Sequence, residues 1–229
     1  MHSALIDVDE GPAARRSAVA VPFSPDLKLI ETFGRTPDGR FPRLPAHLAR
    51  LARTAAALGV APDWPAIDRV LAAITGEGAL RIRLTVTLDG APAAETAPLA
   101  PNPPAWTVAL ARERLDSADP WLVLKTDRRP VHDAARAARA PGIDEALLAN
   151  ERGELCEGTT TTVFADFGRG LLTPPLASGL LPGVLRAEML GRGQCREAVI
   201  EAASLAAARR LLVGNSLRGL LPARLAGSA

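Results

Sequence analysis

The residue that most invites chemistry in this chain is Lys125. Among 229 residues there are 27 basic side chains, and only Lys28 and Lys125 are lysines. A coding bias towards arginine accounts for that scarcity, and it makes a retained lysine more informative. Lys125 follows the apolar run WLVL, which reads as a strand, and precedes TDRR. Burial at a strand end and neighbouring cations both lower the pKa of an amine. The neutral amine is the nucleophile that a Schiff base requires. Arginine cannot take that part, because a guanidinium stays protonated in proteins. Taken alone, the local context favours the plainer reading, a solvated lysine at a strand end.

Other residues carry weaker signals. Glu157, in CEGTT, reads locally as a surface carboxylate after a turn, and Arg50, in HLARL, as part of the polar face of a helix. The stretch GVLR (183–186) opens a predicted helix, whose first amides, including those of Val184 and Leu185, can meet a dianion at the positive end of the helix dipole. Asn215 and Ser216 form a short polar turn. Arg128, Arg129 and Arg218 could receive carboxylates through paired hydrogen bonds, although for at least one of them a solvated arginine is the plainer reading. His47 and His132 have no carboxylate-spaced partners that suggest a metal or a serine-type triad, and His47 reads as helix packing or a wall of a site. No metal is expected.

The elements that must position these groups follow from periodicity. KLIETFGR (28–35) reads as a strand and TPDGRFP (36–42) as a turn. LPAHLARLARTAAALGV (44–60) is a helix, with Leu48, Leu51, Ala55 and Leu58 at three- and four-residue steps and Gly59 as its stop. WPAIDRVLAAIT (64–75) is a second helix, and ALRIRLTVTLDG (79–90) alternates like a strand ending in a DG turn. The proline-rich 93–106 reads as a loop or linker, and WTVALAR (106–112) as a strand. Beyond a boundary near 113–123, residues 129–140 should be helical with Pro130 in the first turn. Residues 144–176 read as consecutive strands, 181–193 as a loop opening a helix, and 201–225 as helix, strand and turn. Residues 1–26 contain turn formers and no assignable element. This mixture predicts an α/β (mixed α+β) protein in two lobes, with a smaller N-terminal domain over 1–115 and a larger one over 116–229 that carries Lys125.

Composition narrows the partners. With 48% apolar and 23% charged residues the chain is globular, and its net charge of +2 gives no electrostatic case for nucleic acid or a membrane surface. No segment approaches the ~20 apolar residues of a membrane span. Residues 1–16 lack the apolar core of a signal peptide. Cys156 and Cys195 are far apart with no metal-ligand spacing, so a reducing, cytoplasmic setting is expected.

Five stretches, taken together and in order, carry a resemblance. They are LIETFGR with HLARL (29–35, 47–51), LKTDRR (124–129), NERGELCEGTTTTVF (150–164), TPPLASGLLPGVLRAEML (173–190) and NSLRGLLP (215–222). Their order and spacing resemble the class IV, or fold type IV, pyridoxal-phosphate enzymes, which include branched-chain aminotransferases, D-amino-acid transaminases and 4-amino-4-deoxychorismate lyases. The resemblance implies the two-lobed fold type IV architecture with the cofactor, pyridoxal 5'-phosphate, between the lobes, and a homodimer acting on a small amino substrate. It implies that Lys125 forms the Schiff base with the cofactor. Glu157 matches the carboxylate that pairs with the ring nitrogen. Arg50 matches a phosphate-binding arginine, and Val184, Leu185, Asn215 and Ser216 match the rest of the phosphate site. Thr32, in IET, matches a threonine of the lyases where branched-chain aminotransferases tend to have glycine. The favoured expectation is therefore the lyase, which releases pyruvate and 4-aminobenzoate and would place the protein in folate biosynthesis. A branched-chain or D-amino-acid aminotransferase is the alternative, and a non-catalytic cofactor-binding member is a second. Three departures from the family pattern stand out: Thr162 replaces an asparagine, His132 stands where relatives often have tyrosine, and the chain contains no tyrosine.

Overall fold

The computed structural model describes residues 3–5, 20–22 and 24–227, so the reading of 1–26 falls mostly outside the described residues. They divide into two compact units. The first runs to Ala100 and includes Leu124–Arg128; the second comprises Pro101–Val123 and the chain from Arg129. This differs from the expected division at 115/116 in two places. The strand that begins at Trp106 belongs to the sheet of the second unit, and the short lysine-bearing segment groups with the first.

In the first unit, β1 (Ser3–Leu5) and β2 (Ala20–Pro22) form an antiparallel pair. They are followed by β3 (Leu29–Arg35), α1 (Leu44–Leu58), α2 (Trp64–Ala72), β4 (Leu80–Val86) and β5 (Pro92–Pro98). β3, β4 and β5 make an antiparallel sheet in that order. The alternation of β4 predicts one buried face, and Leu80, Ile82, Leu84 and Val86 are indeed buried. α1 packs on β3 and α2 on β5. α1 ends where the sequence places its stop: Gly59 adopts φ 67°, a left-handed conformation that costs glycine little. α2 starts at Asp63, whose carboxylate accepts from Ala66 N at 2.9 Å. The loop expected over 93–106 is corrected in part, because β5 pairs with β4 along seven residues. Proline there is tolerated because β5 is an edge strand.

The second unit is built on one mixed sheet of eight strands. In chain order its elements are β6 (Trp106–Leu115), α3 (Pro130–Ala137), β7 (Glu145–Asn150), β8 (Leu155–Gly158), β9 (Thr162–Asp166), β10 (Leu171–Thr173), α4 (Val184–Gly191), β11 (Arg196–Glu197), β12 (Arg210–Asn215) and β13 (Gly219–Leu225). The strand order is β11-β10-β9-β12-β13-β6-β7-β8. Every residue of β7 is buried. Leu147 joins one core with Val163, Val213 and Leu221, while Ala146 and Leu148 join another with Ala135 of α3 and Leu180. The sheet thus carries packed apolar side chains on both faces, which is why EALLAN reads as a near-continuous apolar run.

Two further expectations are corrected here. WLVL is not a strand: Pro120–Val123 form a short 3₁₀ turn, started by Asp119, whose carboxylate accepts from Trp121 N at 2.9 Å. The helix expected from residue 201 is only a 3₁₀ segment, Ala202–Ala207, because the chain must leave it extended to pair Arg210 with Asp166. Alanine's helix propensity is a weak preference, and tertiary pairing overrides it.

Leu147 is fully buried at the centre of this sheet. Leu147→Ala should destabilise the protein by about 2–5 kcal/mol, seen as a lower midpoint in denaturant unfolding followed by circular dichroism. A change within experimental error would show that this core is not continuous.

Candidate active site

In the first unit the chemistry is organised around Glu31. It sits inside the apolar strand β3 and is fully buried. A buried carboxylate is tolerated only with partners, and α1 supplies two. Arg50 donates from Nε to Oε1 at 2.8 Å and from Nη2 to Oε2 at 2.6 Å. His47 Nδ1 donates to Oε2 at 2.6 Å, and its buried Nε2 has no hydrogen-bond partner among the described residues. Burial by itself raises the Glu31 pKa, but the hydrogen bonds from Arg50 and His47 outweigh it and hold the carboxyl below its ordinary value. The ion pair engages two of the five N–H donors of Arg50 and fixes the plane of the guanidinium.

Lys125 is held by backbone. Ile30 N donates to Lys125 O at 2.9 Å and Asp127 N to Lys28 O at 3.0 Å, on either side of an antiparallel bridge between Leu29 and Thr126. Lys125 N in turn reaches Thr54 Oγ1 of α1 at 3.4 Å. The lysine is partly buried. This register sets Lys125 opposite Ile30, which shares a face of β3 with Thr32, while Glu31 points to the other face, where Arg50 meets it. Arg128, in the same segment, is exposed.

In the second unit Glu157 ends β8 and is buried, 5% exposed. Its Oε1 lies 2.8 Å from His132 Nε2 of α3, and its Oε2 accepts from Leu181 N at 3.3 Å. Arg129, at the start of α3, donates from Nη2 to Thr159 O at 2.8 Å. Burial lowers its pKa, and Glu157 and Asp133 pull it back up. The following turn hangs on a second carboxylate, Glu145 of β7, which is 1% exposed. Glu145 accepts from the backbone N and the hydroxyl of both Thr159 and Thr160, and from the hydroxyl of Thr161.

The predicted phosphate groups also converge. α4 starts at Gly183 with no side-chain cap, so the amides of Val184 and Leu185 have no partner within the helix. A Cβ on Gly183 would lie 2.9 Å from Thr162 Oγ1, and one on Gly214 would lie 2.4 Å from Gly219 O and 2.9 Å from Leu185 Cδ2. The first turn of α4, the end of β9 and the β12–β13 turn therefore approach as closely as glycine allows. Asn215 closes that turn. Its Oδ1 accepts from Leu217 N at 3.1 Å and Arg218 N at 2.9 Å, and its Nδ2 donates to Thr160 O at 3.2 Å. Ser216 is its half-buried neighbour. Arg218 turns to Asn102 Oδ1, at 2.9 Å, and lies 5.9 Å over the Trp106 ring.

Within the first unit the structure thus brings Lys125, Thr32 and Arg50 around β3, and within the second it brings Glu157, Val184, Leu185, Asn215 and Ser216 around the ends of β8, β9 and β12. The sequence reading gave no role to Glu31 or Glu145, and no partner to His132. A signal for both glutamates was available: Glu31 is a lone acid inside an apolar strand, in LIETF, and Glu145 is the acid that opens the apolar run of β7, in DEALLAN. Among the described residues no cluster of His, Cys, Asp or Glu could hold a metal ion. No helix among them is long and apolar enough to cross a membrane.

Comparison with known proteins places this arrangement. The sequence profile of the family Amino-transferase class IV matches residues 28–226. A solved protein from Mesorhizobium loti, provisionally named an amino-acid aminotransferase, is 48% identical with a TM-score of 0.85, covering 87% of this chain and 100% of that one. The 4-amino-4-deoxychorismate lyase of Pseudomonas aeruginosa is 24% identical with a TM-score of 0.75, covering 90% and 88%. A Schizosaccharomyces pombe protein provisionally named an aminodeoxychorismate lyase is 25% identical over 193 residues, 79% of this chain and 83% of that one. The mixed α+β fold is that of the fold type IV enzymes. The chain belongs to the class IV aminotransferase family, whose members, lyases and aminotransferases alike, are pyridoxal-phosphate-dependent enzymes.

Proposed function

We propose that this protein is a pyridoxal-phosphate-dependent 4-amino-4-deoxychorismate lyase. The residues fit the cofactor. A buried arginine with a fixed plane, the amides opening α4 and the Asn215–Ser216 turn suit a phosphate dianion. The buried carboxylate of Glu157 suits a protonated ring nitrogen, and Lys125 offers the amine. When bound, the cofactor supplies an electrophilic carbonyl and a cationic ring that takes up the electron pair left on a substrate carbon.

The chain's own residues do the rest. Arg50, Val184 and Leu185 hold the phosphate end and so fix the ring. Glu157 holds the proton on the ring nitrogen. With substrate bound, the free amine of Lys125 would remove the proton from the amine-bearing carbon as a general base. The bond from the substrate ring to the enolpyruvyl oxygen then breaks. That group gains a proton and leaves as pyruvate, and the ring becomes 4-aminobenzoate, whose aromaticity drives the step. Thr32 positions the Lys125 amine or assists its proton transfer. Arg128, Arg129 and Arg218 are assigned to the substrate carboxylates, with Arg129 anchored through its bond to Thr159 O.

The observation that supports the lyase reading is Thr32 on β3, two residues from Ile30, whose N donates to Lys125 O at 2.9 Å. An aminotransferase of branched-chain or D-amino acids is the second reading, favoured by the 48% identity to the Mesorhizobium loti protein. A protein of this kind working in folate biosynthesis acts in the cytoplasm, as a homodimer by family habit.

Supplied with aminodeoxychorismate, the purified protein should release pyruvate without transferring an amino group; glutamate formed from branched-chain amino acids and 2-oxoglutarate would replace this reading with the second. Borohydride reduction of the holoenzyme should leave the phosphopyridoxyl mass on a peptide containing Lys125. Lys125→Ala should lose that label and reduce turnover by at least a thousandfold, on the order of the loss of a general base; a label elsewhere would refute the role given to Lys125. Thr32→Gly should lower kcat for pyruvate release by about tenfold or more with the thermal midpoint little changed, and an unaltered kcat would remove the support for the lyase.

A further inference from the structure

The second unit contains a buried histidine that the chemistry above does not use. His132 is 6% exposed and its Nε2 lies 2.8 Å from Glu157 Oε1, while Leu181 N reaches Oε2 at 3.3 Å. Both oxygens of Glu157 are therefore hydrogen-bonded by the protein itself. A carboxylate accepts at about four lone-pair positions, so two donors leave it able to accept from a cationic N–H as well. They also fix its plane, which a side chain with three rotatable bonds would not keep by itself. Since the carboxylate is acceptor-only when ionised, the donor at this contact is the Nε2–H of His132. Donors aimed at a carboxylate favour its charged form, which burial alone would disfavour.

We propose that His132 is the positioning residue for Glu157: with the Leu181 amide it aims the carboxylate at the place the cofactor's ring nitrogen would take, and so favours a proton on that nitrogen. This rests on the reading of Glu157 as the partner of that nitrogen. It requires a donor at the place of Nε2 and does not require an imidazole. A glutamine at 132 presents its amide N–H₂ near the Nε2 position, whereas an asparagine is too short to do so.

The test uses holoenzyme loaded with pyridoxal phosphate labelled with ¹⁵N in the ring, in four forms: wild type, Glu157→Gln, His132→Asn and His132→Gln. Nitrogen magnetic resonance reports the protonation of the ring nitrogen, titration of the apoprotein gives the cofactor Kd, and thermal midpoints identify any variant that fails to fold. A purely structural histidine would alter the midpoints without moving the nitrogen resonance. The wild type should show a protonated ring nitrogen and Glu157→Gln a neutral one. His132→Asn should shift the resonance towards the neutral position and raise the Kd by roughly tenfold or more, as expected for a lost hydrogen bond to a charged group. His132→Gln should keep the resonance protonated and the Kd within about threefold of wild type. If His132→Asn or His132→Gln, folded, shows the wild-type resonance and Kd in the first case or the Asn-like shift in the second, the proposal is overturned while the role of Glu157 stands. A Glu157→Gln protein with an unchanged resonance would overturn the role of Glu157, and the proposal with it.

Discussion

A carboxylate cannot be buried without donors, and three buried glutamates organise this protein around that constraint. Glu31, Glu145 and Glu157 are at most 5% exposed. An uncompensated carboxylate in such a place would cost several kcal/mol or take up a proton. Each is compensated by groups on a different element, so each joins a strand to something that carries chemistry. Glu31 ties β3 to α1 and sets the plane of Arg50. Glu145 gathers three successive threonines between β8 and β9. Glu157, proposed as the partner of the cofactor's ring nitrogen, is held by α3 and by the chain ahead of α4. Of the three, only Glu157 is a proposed cofactor contact, and the other two act through their neighbours.

The lysine is positioned by a different device. On the proposed reading its side chain must exchange partners, so its placement has to come from the backbone. The backbone is fixed by two hydrogen bonds to β3 and one to Thr54. A five-residue segment that leaves the second unit's chain path to add a bridge to β3 is an efficient arrangement for this. It brings the proposed reactive residue opposite Ile30, two residues from Thr32 on β3. This is also why arginine would not serve at 125, since its guanidinium neither deprotonates nor forms a Schiff base.

Much of this was legible in the sequence where local rules act alone. α1 ends at Gly59 as its periodicity and stop signal require, and β4 alternates because only one face is buried. The rules failed where a neighbour decided the outcome. β5 is proline-flanked and mostly exposed, so its identity as a strand comes from β4 and not from its own residues. WLVL looks extended, but Asp119 turns it into a 3₁₀ segment. In the site, the motif residues were legible through family resemblance, and the two acids inside apolar strands could have been flagged as buried and partnered. The contact between His132 and Glu157 could not, because they are 25 positions apart with the strand β7 between them, and neither residue's surroundings name the other.

The choice between lyase and aminotransferase follows from where specificity can reside. On the proposed reading, Arg50, the α4 amides and Glu157 do the same work in both reactions, because both need a fixed phosphate and a protonated ring nitrogen. Lys125 moves a proton in both. Those residues can therefore be shared across the family and say nothing about the outcome. The outcome depends on what happens after the first proton leaves: whether a bond to a good leaving group is aligned to break, or whether the proton is delivered to the cofactor. That is settled by groups that orient the substrate and by those that steer the Lys125 amine. On the proposed reading, Thr32, two residues from the partner of Lys125 on β3, belongs to the second kind, and Arg129, anchored on the threonine turn that Glu145 organises, to the first. Reaction specificity in this protein is thus expected to change with substitutions at these two positions while cofactor binding persists.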